Sequence, residues 1–108
     1  MKNGLYKAKF GTRLGEGIGL VVAQDGMIRG GDIRLYYTGT YTVNGNQVAG
    51  KISTNLHTAA PGTNSVFGAD QVVIDLSGTF NGNTATLTGT SPHAPGVAMK
   101  VMLTKLSD

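Results

Sequence analysis

Apolar and polar positions alternate along most of this chain. In residues 4 to 10, Tyr6, Ala8 and Phe10 fall on one side and Leu5, Lys7 and Lys9 on the other. That is the period of a strand with one dry and one wet face. Residues 11 to 15 read as a loop. From Ile18 to Ala23 the chain is apolar or glycine without a break, and Asp25-Gly26 follows at once. Asp-Gly between apolar runs signals a tight hairpin, because both turn positions tolerate positive φ. The return from Met27 is cut short by Gly30-Gly31-Asp32. Residues 34 to 43 place Tyr37, Gly39, Tyr41 and Val43 in phase, and Asn44-Gly45-Asn46 turns them. Residues 47 to 56 come back with Val48, Gly50, Ile52, Thr54 and Leu56 in phase. His57 to Gly68 is the longest loop. Residues 70 to 80, a turn at Asn81-Gly82-Asn83, and residues 84 to 90 make a further hairpin. After the loop from Ser91 to Gly96, residues 97 to 106 form the last strand.

Two segments echo each other. Tyr37 to Tyr41 and Leu76 to Phe80 each carry a mid-strand glycine, Gly39 and Gly78, before an Asn-Gly-Asn hairpin. A strand that must curve sharply uses glycine at the bend. Eight strands joined in order, with curvature, predict an all-β fold: an antiparallel up-and-down eight-stranded barrel spanning residues 1–108 as one domain. A two-sheet sandwich is the alternative. An eight-stranded barrel is either filled by side chains or holds one small ligand. Gly39, Gly50, Gly78 and Ala8 would leave space, whereas Tyr6, Phe10, Tyr41 and Phe80 would fill it.

Composition supports this picture. Seventeen glycines beside 40% hydrophobic residues point to turn-rich β structure rather than disorder. With no cysteine, disulfides, thiolate metal sites and cysteine nucleophiles are excluded together. The N-terminus enters a strand-like segment without the apolar core of a signal peptide, so a soluble cytoplasmic protein is expected. The longest apolar run, about six residues, is far too short for a membrane span. The net charge is +3, but the basic residues are scattered with no run of three. Neither a nucleic-acid nor a membrane partner is expected. Lys7, Lys9 and Lys100 are a candidate basic patch, because the first and last strands of a barrel pair.

No catalytic constellation appears. His57 and His93 lie in or beside loops without a partner at ligand spacing, so no metal and no cofactor are expected. Asp32, after its double glycine, is suited to accept backbone N–H bonds. Gly15-Glu16-Gly17-Ile18-Gly19 fails as a dinucleotide fingerprint in its spacing and lacks a following helix. It reads as flexible entry to a curved strand. The serines have no adjoining nucleophile motif. A non-enzymatic protein is expected.

With the strands laid out, the chain resembles a known family. The pattern is Asn3-Gly4-Leu5-Tyr6, then Gly15-Glu16-Gly17, then Met27-Ile28-x-Gly30-Gly31-Asp32-Ile33, then Tyr37-x-Gly39. This is similar to the GrlR family, negative regulators of type III secretion genes in attaching-and-effacing enterobacteria. The resemblance is densest over residues 3 to 52. It implies a lipocalin-like or calycin-like barrel, a homodimer, and regulation by binding a transcriptional activator rather than DNA. The family's acidic partner-binding run aligns with Val43, Asn44, Gly45 and Asn46, the candidate partner-binding turn, where the acids are missing. The resemblance therefore implies a bacterial regulatory, protein-binding barrel. The alternative is a carrier of a small apolar ligand. A third reading, an enzyme built on His57 and His93, requires the two imidazoles to lie close together, or near a carboxylate, in a cleft.

Overall fold

The computed structural model describes residues 1–59 and 70–108. Eight antiparallel strands close into one barrel in sequence order: β1 (Gly4–Thr12), β2 (Gly15–Gln24), β3 (Met27–Gly31), β4 (Leu35–Asn44), β5 (Gln47–Leu56), β6 (Val73–Asn81), β7 (Thr84–Thr90) and β8 (Ala98–Ser107). The up-and-down barrel is the architecture predicted by the strand pattern, and the sandwich is set aside. The described residues contain no helix, and so none long and apolar enough to cross a membrane.

Two local readings change. The loop expected over residues 11 to 15 shrinks to Arg13-Leu14, because β1 and β2 stay paired out to Thr12 opposite Gly15. The sixth strand starts at Val73 rather than at Asp70. Thr54 replaces regular ladder geometry there: its Oγ1 donates to the Asp70 carbonyl at 2.9 Å and accepts from the Val72 amide at 3.2 Å. Most of the long loop expected over His57 to Gly68 lies outside the described residues.

The hairpins follow their turn chemistry. Asp25 and Gly26 both have positive φ, 51° and 84°, as a two-residue type I′ turn requires. The predicted bends are close approaches. A Cβ on Gly39 would stand 2.2 Å from the Lys51 carbonyl oxygen, and one on Gly78 would stand 2.0 Å from that of Thr86. Only glycine lets the neighbouring strand cross so near.

Alternation sets the core. Tyr6, Ala8, Val21, Ile28, Ile74 and Leu87 are among the buried inward residues. The two kinds of inward residue are segregated along the axis. One end, where the β2–β3, β4–β5 and β6–β7 hairpins turn, contains Tyr6, Tyr41, Val48 and Phe80. Tyr6 is fully buried, and its hydroxyl donates to the Lys2 carbonyl at 2.6 Å. The other end carries the β1–β2, β3–β4, β5–β6 and β7–β8 connections, and there the interior is hollow.

Candidate functional site

The hollow end holds a cavity of about 270 Å³. Its wall is aliphatic, with Val21, Ile28, Leu76, Leu87, Val101 and Leu103 among the lining residues. Phe10 and Tyr37 face each other across it edge to face, ring centroids 6.3 Å apart. Small residues make room for these rings. A Cβ on Gly17 would meet the Phe10 ring at 2.7 Å, and one on Gly19 would meet the Tyr37 hydroxyl at 2.9 Å. Gly17 and Gly19 are therefore shaped by aromatic packing, more than by the flexible strand entry expected from sequence.

The opening has a structural cause. β3 is only five residues long and pairs with β2 no further than Gly31 opposite Leu20. Beyond that point β2 has β1 on one side and no β3 on the other. Glu16 and Ile18 consequently border the cavity, as does Ile33 in the β3–β4 connection. Ile33 is 79% exposed, an apolar side chain held at a rim.

A polar cluster fixes the rim. The Asp32 carboxylate accepts from the amides of Arg34 at 2.9 Å and Leu35 at 2.8 Å, which closes the connection as an Asx turn. This is the role expected of an aspartate after a double glycine. Its second oxygen accepts from the Tyr37 hydroxyl. Burial, then the hydrogen bond to Asp32 and its negative charge, push the Tyr37 hydroxyl far above the ordinary tyrosine range. Arg34 is buried and paired with the half-exposed Asp70. His57 donates from Nε2 to the Asp32 carbonyl at 2.8 Å. A carbonyl can only accept, so Nε2 carries a proton, and Nδ1 lies within hydrogen-bond distance of the Thr58 hydroxyl at 2.7 Å.

His57 and His93 lie at the same end of the barrel, on different connections. His57 is tied to backbone and to Thr58, and His93 is exposed. Among the described residues no three His, Asp or Glu side chains gather as metal ligands. The turn Val43, Asn44, Gly45, Asn46 is exposed throughout and stands at the filled end, away from the cavity. Lys7, Lys9 and Lys100 do share one outer face. Lys9 pairs with Met102, and Lys100 pairs with Gly11, on the adjoining strands β1 and β8.

Sequence reading reached Asp32 but missed Arg34, Tyr37 and Thr54 as rim residues. Tyr37 had a usable signal, since it lies in phase with the inward residues and five positions after Asp32. The Arg34–Asp70 pair had none, because its partners sit on different connections that meet only once the β4–β5 and β5–β6 ladders have formed.

Fold and cavity define a small closed β-barrel with an apolar chamber opening at one end. Compared with known proteins, the chain matches no family model and no curated sequence.

Proposed function

We propose that this barrel is a non-enzymatic binding protein that holds a small, largely apolar ligand in its chamber. The observation that carries this reading is the cavity itself: about 270 Å³, aliphatic-walled, with its polar groups confined to the rim. Ligand sites have this division, with an apolar wall supplying affinity and a few fixed polar groups supplying orientation. The volume suits a ligand of on the order of ten non-hydrogen atoms, taking about 30 Å³ as one water's share. Titration with the neutral dye 1-naphthylamine tests it. Blue-shifted, saturable fluorescence with a Kd on the order of 1–100 µM is expected for a ligand of this size. Ala8→Leu, which adds bulk to the wall, should abolish the signal while the circular dichroism spectrum stays unchanged. Absence of saturable binding, or binding indifferent to Ala8→Leu, defeats the reading.

The regulatory role implied by the GrlR resemblance is the second reading, that of a dimeric barrel docking a protein such as a transcriptional activator. Support comes from the exposure of every residue of the Val43–Asn46 hairpin. Without acids this turn offers no charge complementarity to a basic partner. Light scattering of the purified chain tests the dimer, and a monomer at all concentrations would end that part of the reading.

A further inference from the structure

We infer that the outer face of β8, β1, β2 and β3 is a docking surface for an anionic lipid bilayer. Charge distribution is the first ground. Four of the nine basic residues, Lys7, Lys9, Arg29 and Lys100, project from this face, against one acid, Glu16. The remaining five basic and five acidic residues cancel. The whole net charge of +3 therefore sits on one side of the barrel. The cations are scattered in sequence, and strand pairing gathers them.

The second ground is what lies between the charges. Ile18, Leu20, Val22 and Met102 are exposed on the same face, with Ile18 at 62%. They alternate with the cations across the ladders. Lys7 stands opposite Leu20, Lys9 between Ile18 and Met102, and Arg29 opposite Val22. A protein-binding patch gathers its apolar residues at a core depleted of charge and puts charges at the rim. Here charges and aliphatics are interleaved. That arrangement fits a headgroup boundary, where aliphatic side chains dip toward the acyl region and long cationic side chains reach back to phosphate. A second copy of the chain is disfavoured, since an isologous pairing would set +3 against +3. Nucleic acid is disfavoured because the outer faces of β8, β1 and β2 carry no aromatic side chain for stacking. Ile18 also borders the cavity, so docking would place the chamber's opening beside the bilayer.

Vesicle flotation with the full chain tests this inference independently of the chamber's occupant. Vesicles of phosphatidylcholine alone are compared with vesicles containing phosphatidylglycerol. Binding is expected only to the second, and is expected to fall as salt is raised. Each lysine near the surface is worth about 1 kcal/mol, or about fivefold, so Lys7→Gln, Lys9→Gln and Lys100→Gln together should weaken binding on the order of a hundredfold. Lys51→Gln, on the far side at β5, should change it by less than about twofold. Ile18→Ser with Leu20→Ser should cost about tenfold or more with every charge in place. Equal binding to both vesicle types, or a triple lysine variant that binds as well as the parent, overturns the inference. So does capture by polyglutamate without any vesicle binding, which would reassign the face to an acidic protein. A solution dimer broken by Leu20→Ser would reassign it to a second copy.

Discussion

Tyr37 and Asp32 together hold the rim, and each has a separate consequence. Ionising Tyr37 would put a second negative charge beside Asp32 inside an apolar chamber. Its pKa is thus raised in the folded state relative to the unfolded chain. For such a group the stabilising contribution is complete below the unfolded value, near 10, and is lost as pH rises beyond it. Spectrophotometric titration of native protein should therefore count the same tyrosinates in the parent and in Tyr37→Phe. The difference of one should appear only when alkali unfolds the chain. A native-state difference near pH 10 would contradict the buried, Asp32-bound hydroxyl. Asp32 accepts three hydrogen bonds, two from backbone amides. Asp32→Ala should cost about 2–4 kcal/mol in urea unfolding, because those donors lose a charged acceptor. A cost below about 0.5 kcal/mol would mean water replaces the carboxylate without penalty.

At the scale of the strand, local chemistry was readable and long-range meetings were not. Asp25-Gly26 announces its turn because the need for positive φ is met within the two residues. Strand faces are readable too, since the period of two is a property of the segment itself. Mid-strand glycines announce curvature for the same reason. Gly78→Ala should destabilise the barrel by about 3 kcal/mol or more, because its Cβ would be driven into the Thr86 carbonyl. The same change at Gly82, in an open hairpin with positive φ, should cost only about 1 kcal/mol of backbone strain. Equal costs in denaturant melts would show that the strand crossing relaxes. The inner glycines Gly17 and Gly19 misled sequence reading. Their partners, the Phe10 and Tyr37 rings, arrive from other strands. The hollow was hidden in a similar way. The fillers Tyr6, Tyr41 and Phe80 are spaced throughout the chain, and only the ladder register puts them all at one end.

For the molecule as a whole, closure rests on β1 meeting β8. Ala8 lies opposite Leu103 in that ladder, and Phe10 opposite Val101. Leu103 is buried, so Leu103→Ala should cost about 2–5 kcal/mol. The charge asymmetry also belongs to this scale. Reading along the chain finds no basic run, and only the closed ladder sets Lys7 and Lys9 beside Lys100.

That seam joins residues almost a full chain length apart, whereas every other ladder joins sequence neighbours. Loop entropy must be spent before such a contact returns anything, so the seam should zip last and folding should take milliseconds to seconds. In stopped-flow chevrons, Leu103→Ala should then speed unfolding and leave the refolding rate nearly unchanged. A slowed refolding limb would place the seam in the nucleus instead. Until it shuts, the nascent sheet carries two long unpaired edges, β1 and β8. Refolding yield should therefore fall with protein concentration, through edge-to-edge association of chains not yet closed.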